Sequence, residues 1–512
     1  MTHPGTPEIS PSPPTAVRLR RRALAVAGAV AAVVAVVAAL VLVGGAEPGD
    51  DDLAGDRPRR DAPGPGGAAD TDADADAGAG AGGVGDPYFP AAGNGGYDVT
   101  HYDLDLAWHP DDQRVDGVAT ISATATDELD SLVIDAIGLD LATVTVDGEP
   151  AEATVSGDRD LEVVPAAPIA AGASFSVAFT YSAGPRTIDG ADLLDPGWVA
   201  DGDEVYAVFE PHGAATLFPV NDHPSDKATY RLRVTVPEGL EVAANGRLTG
   251  TTTGDGVTTW DYDAPDPMAS YLVQVVIADL VFDETAGPDG LVIRHAFDAD
   301  VADRYGTSMV RTGEMIDVFD DMFGPYPFVA YGAVVVDDPL GFALETQTLS
   351  LFGTDAAGSE AVVAHELAHQ WFGNAVSPAS WQDIWLNEGF ATYAQWLWQE
   401  HDGNGTVDDF AEAAAGTSGL LDRPPGDPGA ATLFDPSVYD RGALTLHAVR
   451  ATIGDDAFFT VLRTWVERHG GGSASTADFE ALAEEVAGQD LTGLFDAWLR
   501  APRLPDLHEW VT

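Results

Sequence analysis

The 512-residue sequence predicts an α+β, multidomain protein in which an antiparallel, β-rich unit is followed by a mainly helical one. Between Tyr88 and about Asp283, short alternating segments are separated by clusters of Gly, Pro, Asp and Asn, the pattern of strands joined by turns. After about Gly287 the apolar residues recur at helical spacing over longer stretches. The amino terminus stands apart from both, with one wholly apolar stretch and one acidic stretch rich in Gly and Ala.

Residues 1–22 form a tail in which Arg18, Arg20, Arg21 and Arg22 stand directly before an apolar run, Ala23–Val43. As a helix that run is about 31 Å long, matching the roughly 30 Å hydrocarbon core of a bilayer. Basic residues on its amino side place the tail in the cytoplasm and everything after Gly44 outside, as a single-pass anchor. A cleaved signal segment, giving a secreted protein, is the competing reading, because Gly44-Gly45-Ala46 offers small residues to a peptidase. The run exceeds the usual h-region of roughly 7–15 residues, which favours the anchor. Residues 44–87 have little to bury and read as a disordered, self-repelling Asp/Gly/Ala linker.

The β-rich domain is assigned to 88–286, with strands such as Tyr102–Leu106, Val144–Val146, Phe175–Phe179 and Tyr230–Val236. Their alternation and turn chemistry predict an antiparallel sandwich or saddle. The helical domain is assigned to 287–512, with helical runs over 302–323, 360–372, 387–400 and 455–498. Between them Tyr331–Val336 reads as an apolar strand leading into Gly341–Thr348. No 20–50-residue repeat points to a solenoid.

A formal charge of −59 argues against nucleic acid, whose phosphates require a basic face. It is read as a solvated acidic surface that favours a monomer over association. With no cysteine, any metal must sit on His and carboxylate.

Such a set is present in His365-Glu366-Leu367-Ala368-His369. On a helix the two histidines are about 400° apart, so both imidazoles share one face, with Glu366 beside it. A catalytic zinc needs a third ligand and one open position. Glu388, separated from His369 by 18 intervening residues and at the start of the next predicted helix, supplies it. One Zn2+ per chain is therefore expected. Thr392, one turn beyond Glu388, is a candidate outer partner for a ligand, or a helix Thr bonded to its own backbone.

The stretch His365-Glu-Leu-Ala-His-Gln-Trp-Phe-Gly-Asn374, followed by Trp385-Leu-Asn-Glu-Gly-Phe-Ala-Thr-Tyr393, resembles the aminopeptidase N family of zinc peptidases, the gluzincins that include leukotriene hydrolase. Tyr88–Asp103 is similar to the opening of that family's β-saddle domain, and Trp498–Pro505 to the end of its thermolysin-like domain. The resemblance thus covers about Tyr88 to Leu507. Many members continue into a helical carboxy-terminal domain; this chain stops before one, which implies a more open cleft.

Three residues follow from the resemblance. Glu345 in Gly341-Phe-Ala-Leu-Glu-Thr is similar to the glutamate of the Gly-Ala-Met-Glu-Asn motif that binds a substrate amino terminus, although Phe342, Leu344 and Thr346 depart from that motif. Glu210 in Phe209-Glu-Pro-His matches the second amine anchor. Tyr439 in Val438-Tyr-Asp-Arg-Gly matches the tyrosine that faces the metal. The implied activity is release of amino-terminal residues from peptides outside the cytoplasm, with Glu366 as general base and Tyr439 as oxyanion partner. A zinc endopeptidase or an epoxide hydrolase could use the same ligands, and a catalytically silent surface-binding protein could use the same fold.

Overall fold

Alternating apolar and charged residues build the first half. In strand Tyr97–His109, Tyr102, Leu104, Leu106 and Trp108 are buried, while Asp103 and Asp105 point to the other face. Its neighbour Lys227–Pro237 repeats the pattern, with Leu104 opposite Leu232 and Leu106 opposite Val234. Tyr102 and Tyr230 stack with ring centroids 4.8 Å apart. On the outer face Arg231 meets Asp103 at 2.8 Å and Arg233 meets Asp261 at 2.9 Å.

These two strands centre an eight-stranded sheet ordered 247–254, 257–269, 227–237, 97–109, 114–125, 174–183, 140–146, 149–150. Every pairing is antiparallel except that of 97–109 with 227–237, which is parallel. The long connection between its two strands, which carries strands of other sheets, makes that seam possible. A second sheet, ordered 241–244, 275–278, 204–208, 197–201, 186–187, holds Glu204–Val208, buried along its whole length. That strand delivers the chain to Glu210.

The computed structural model describes residues 82–188, 195–202 and 204–510. The predicted tail 1–22, the apolar run 23–43 and the linker up to 81 lie outside the described residues. No helix among the described residues is long and apolar enough to cross a membrane. The last residues read as linker belong to the fold: Asp86 is buried and accepts from the amides of Tyr88, Phe89 and Trp381 at 2.8–2.9 Å.

In the second half, strands 292–298, 333–335 and 350–352 run parallel, and Ala343–Leu344 closes one edge antiparallel to Ser350–Phe352. Residue 287, where the sequence changes character, lies inside a hairpin: strand Leu280–Ala286 pairs with Val292–Asp298 and so joins this sheet. Among the described residues the helices of nine residues or more are α1 (Thr312–Phe323), α2 (Glu360–Ala368), α3 (Trp385–His401), α4 (Val407–Ala415), α5 (Gly442–Ile453), α6 (Asp455–His469) and α7 (Thr476–Ala487).

Two predicted helical runs are interrupted. Over 302–323 a single turn, Ala302–Tyr305, precedes α1. Between them the hydroxyls of Ser308 and Thr312 donate to the carbonyls of Tyr305 and Met309, both at 2.7 Å, and compete with the helical ladder. In 455–498 the Gly470-Gly471-Gly472 run ends α6, and Gly472–Ala474 forms a short parallel pair with Val376–Pro378.

Candidate active site

α2 begins at Ser359, whose hydroxyl caps the Val362 amide. Val363, Ala364, Leu367 and Ala368 are completely buried, which fixes the helix rotation and turns His365 and His369 toward α3. Glu388, in the first turn of α3, places one carboxylate oxygen 3.3 Å from His365 Nε2 and 3.5 Å from His369 Nε2. One ligand atom from each of the three residues lies within 4.8 Å of the others. His369 Nδ1 is 3.1 Å from the Phe372 carbonyl, which accepts its proton and leaves Nε2 free to bind a metal. Two imidazole nitrogens and one carboxylate oxygen, all buried, fit a catalytic Zn2+ with one position open.

Three further carboxylates converge on this cluster. Glu345, Glu366 and His369 bring ligand atoms within 4.8 Å of one another, as do Glu210, Glu345 and Glu388. All four glutamates are at most 5% exposed, and among the described residues no Lys or Arg pairs with them. Burial pushes Glu210 well up, with repulsion from Glu345, Glu388 and Glu366 adding to it. Burial likewise raises Glu345 and, well above the usual range, Glu366, against the pull of His369. Burial acts the same way on Glu388, but His369 and the hydrogen bonds to both histidines overcome it and hold its carboxyl at about 2. Glu210 Oε1 and Glu345 Oε1 are buried without a hydrogen-bond partner.

Tyr439 enters the cluster from the other side, on a π-helical turn, Ser437–Arg441, that precedes α5. Its ring lies 6.0 Å from that of His365 at 21°. The approach depends on a glycine pair. A Cβ on Gly389 would sit 2.8 Å from the Gly442 backbone, so α3 and α5 touch where neither has a side chain.

The structure brings together His365, Glu366, His369, Glu388, Glu210, Glu345 and Tyr439. Thr392 does not join them: it is buried, and among the described residues its hydroxyl makes no hydrogen bond to the cluster. Burial lowers the pKa of His365, and the Gln395 side chain, three residues past Thr392 on α3, acts with Glu388 against that effect. Sequence reasoning also missed Gln370 and Asn374, whose side-chain amides both donate to the Glu345 carbonyl, at 3.1 and 2.7 Å. Gln370 further accepts from the Thr348 amide at 2.8 Å. Their only signal was an amide side chain beside or shortly after a ligand histidine.

Fold and site together define a two-part metalloprotein with one buried His-His-Glu centre. Residues 99–272 match the Peptidase M1 N-terminal domain and residues 308–498 the Peptidase family M1 domain. The M1 zinc metallopeptidase of Deinococcus radiodurans is similar at TM-score 0.78 and 32% identity, covering 83% of this chain and 98% of that one. A glutamate-to-alanine mutant of it, bound to a Tyr-Ser-Ala substrate, matches at the same score and identity, covering 83% and 99%. Aminopeptidase M1 of Arabidopsis thaliana is 28% identical over 330 residues, 58% of this chain and 37% of that protein. Leucyl aminopeptidase of Saccharolobus solfataricus is 26% identical over 435 residues, 78% and 53% respectively. The chain spans little more than a third of the plant relative and about half of the archaeal one. It belongs to peptidase family M1, and the metal of its His-His-Glu centre is Zn2+.

Proposed function

We propose that this chain is a zinc aminopeptidase that removes amino-terminal residues from peptides, tethered through residues 23–43 with its catalytic part outside the cytoplasm. The observation that carries the reading is the pair of orphaned oxygens, Glu210 Oε1 and Glu345 Oε1, buried beside the metal ligands with no Lys or Arg paired to them among the described residues. A substrate α-ammonium supplies the donors and positive charge they lack. Anchoring it there leaves only the first peptide bond in reach of the reacting water, which makes an exopeptidase. The Tyr-Ser-Ala substrate bound by the related Deinococcus radiodurans peptidase, and the similarity to plant and archaeal aminopeptidases, support the same reading.

Bound zinc would lower the pKa of a water molecule to about 7 and polarise the scissile carbonyl. Glu366, with its affinity for a proton raised by burial, takes the proton of the attacking water and passes it to the leaving amine. Tyr439 stays protonated, because burial and the surrounding carboxylates push its phenol well up, so it remains a donor to the developing oxyanion. Gln370 and Asn374 hold the Glu345 backbone while its carboxylate grips the amine.

One experiment tests activity and placement together. Intact cells expressing the wild type should cleave a membrane-impermeant aminoacyl fluorogenic amide. Cells expressing Glu366→Gln should not, although that variant retains zinc when purified. Activity surviving in Glu366→Gln would sink the mechanism, and cleavage appearing only after lysis would sink the placement alone.

A further inference from the structure

A cavity of about 260 Å³ opens where the first half meets the second, and none of the zinc ligands lines it. Its walls include Arg247, Tyr262, Phe282, Val292, Arg294 and Leu349. That volume lies just below the roughly 300–1,000 Å³ of typical small-molecule sites and restricts an occupant to a fragment.

Two guanidinium groups set its chemistry. Arg294 is held with its guanidinium carbon 4.0 Å from the Phe282 ring centroid and 6.0 Å from that of Trp260. Its Nε is buried and has no acceptor. The nearest carboxylate, Glu284, also lines the cavity but is largely exposed and stands 3.8 Å from Arg294 Nη1. Arg247 is exposed and forms no ion pair among the described residues. A desolvated N–H without a partner is unfavourable, and a guanidinium fork matches a carboxylate in geometry as well as charge. A net charge of −59 repels anions from the surface at large, so an anion is retained only where arginine is held in place and partly dry. The ring and aliphatic walls select an apolar body behind the charge.

We propose that this cavity is a binding site for a small aromatic carboxylate, held by Arg294 and Arg247 and separate from the peptidase centre. The probe is 3-phenylpropanoate, titrated calorimetrically into the zinc-loaded protein with leucine hydroxamate occupying the metal site. Saturable binding is expected there, no binding of the neutral 3-phenylpropanamide, and affinity reduced about tenfold or more in Arg294→Gln and in Arg247→Gln. Arg247→Gln, at an exposed position, should keep the wild-type rate on aminoacyl amides, and it decides the matter if Arg294→Gln fails to fold. The proposal is overturned by an absence of saturable binding, by displacement with the hydroxamate, by equal binding of the amide, or by unchanged affinity in either folded variant.

Discussion

Replacing either glycine of the α3–α5 seam by alanine should damage catalysis more than stability. The added Cβ would sit 2.8 Å from the Gly442 backbone in Gly389→Ala, and 2.9 Å from the Gly389 Cα in Gly442→Ala. Carbon atoms pack comfortably at about 3.5–4.0 Å, so the helices must part by roughly 0.6–1.2 Å. Overpacking of this kind costs about 1–3 kcal/mol, and the better helix propensity of alanine offsets about 1 kcal/mol of it. Glu388 adjoins Gly389, and Tyr439 lies one turn before Gly442. A displacement near 1 Å therefore separates the ligand and the phenol from opposite sides of the centre, a misplacement worth about a hundredfold in rate. The assay is kcat on an aminoacyl amide at measured zinc occupancy, beside urea unfolding. Because both variants strain one seam, the double variant should lose less than the sum of the singles. Gly442→Ala with wild-type kcat and full zinc would refute the reasoning.

Two other outcomes are expected. His295, buried with Nδ1 accepting the Ala333 amide at 3.1 Å, is held neutral, its pKa lowered by burial from 6.5 to about 4 despite Asp283. The unfolded chain binds the extra proton first, so the stabilisation is complete above pH 6.5 and is lost as pH falls through 4. Comparison of urea unfolding at pH 7 and pH 4 should show the wild type losing up to about 3 kcal/mol more than His295→Gln, and equal losses would contradict the assignment. Glu345→Gln should lower kcat/KM for a free-amine dipeptide amide about tenfold or more while leaving any cleavage of the N-acetylated peptide unchanged. An unchanged ratio between the two substrates would remove the amine-anchor role.

What the sequence determined by itself was whatever depends on chain neighbours. Period-two alternation marked Tyr102–Leu106 and Tyr230–Val236 as half-buried strands, and the four-residue spacing of His365 and His369 put both on one helix face, because strand and helix geometry follow from local backbone repeat. It could not report that those two strands pair in parallel, nor that hydroxyl-to-carbonyl bonds interrupt 302–323. Glu210 and Glu345 have no local pattern of their own and were reached only through family resemblance. Only packing shows that both lie against Glu388 with oxygens lacking a partner. Thr392 was singled out for its place one turn beyond Glu388, but spacing along a helix says nothing of side-chain reach. The Gly389–Gly442 contact and the amides clamping Glu345 were decided by tertiary structure alone, since each joins residues on separate elements, whose separation is set by how the intervening core fills space.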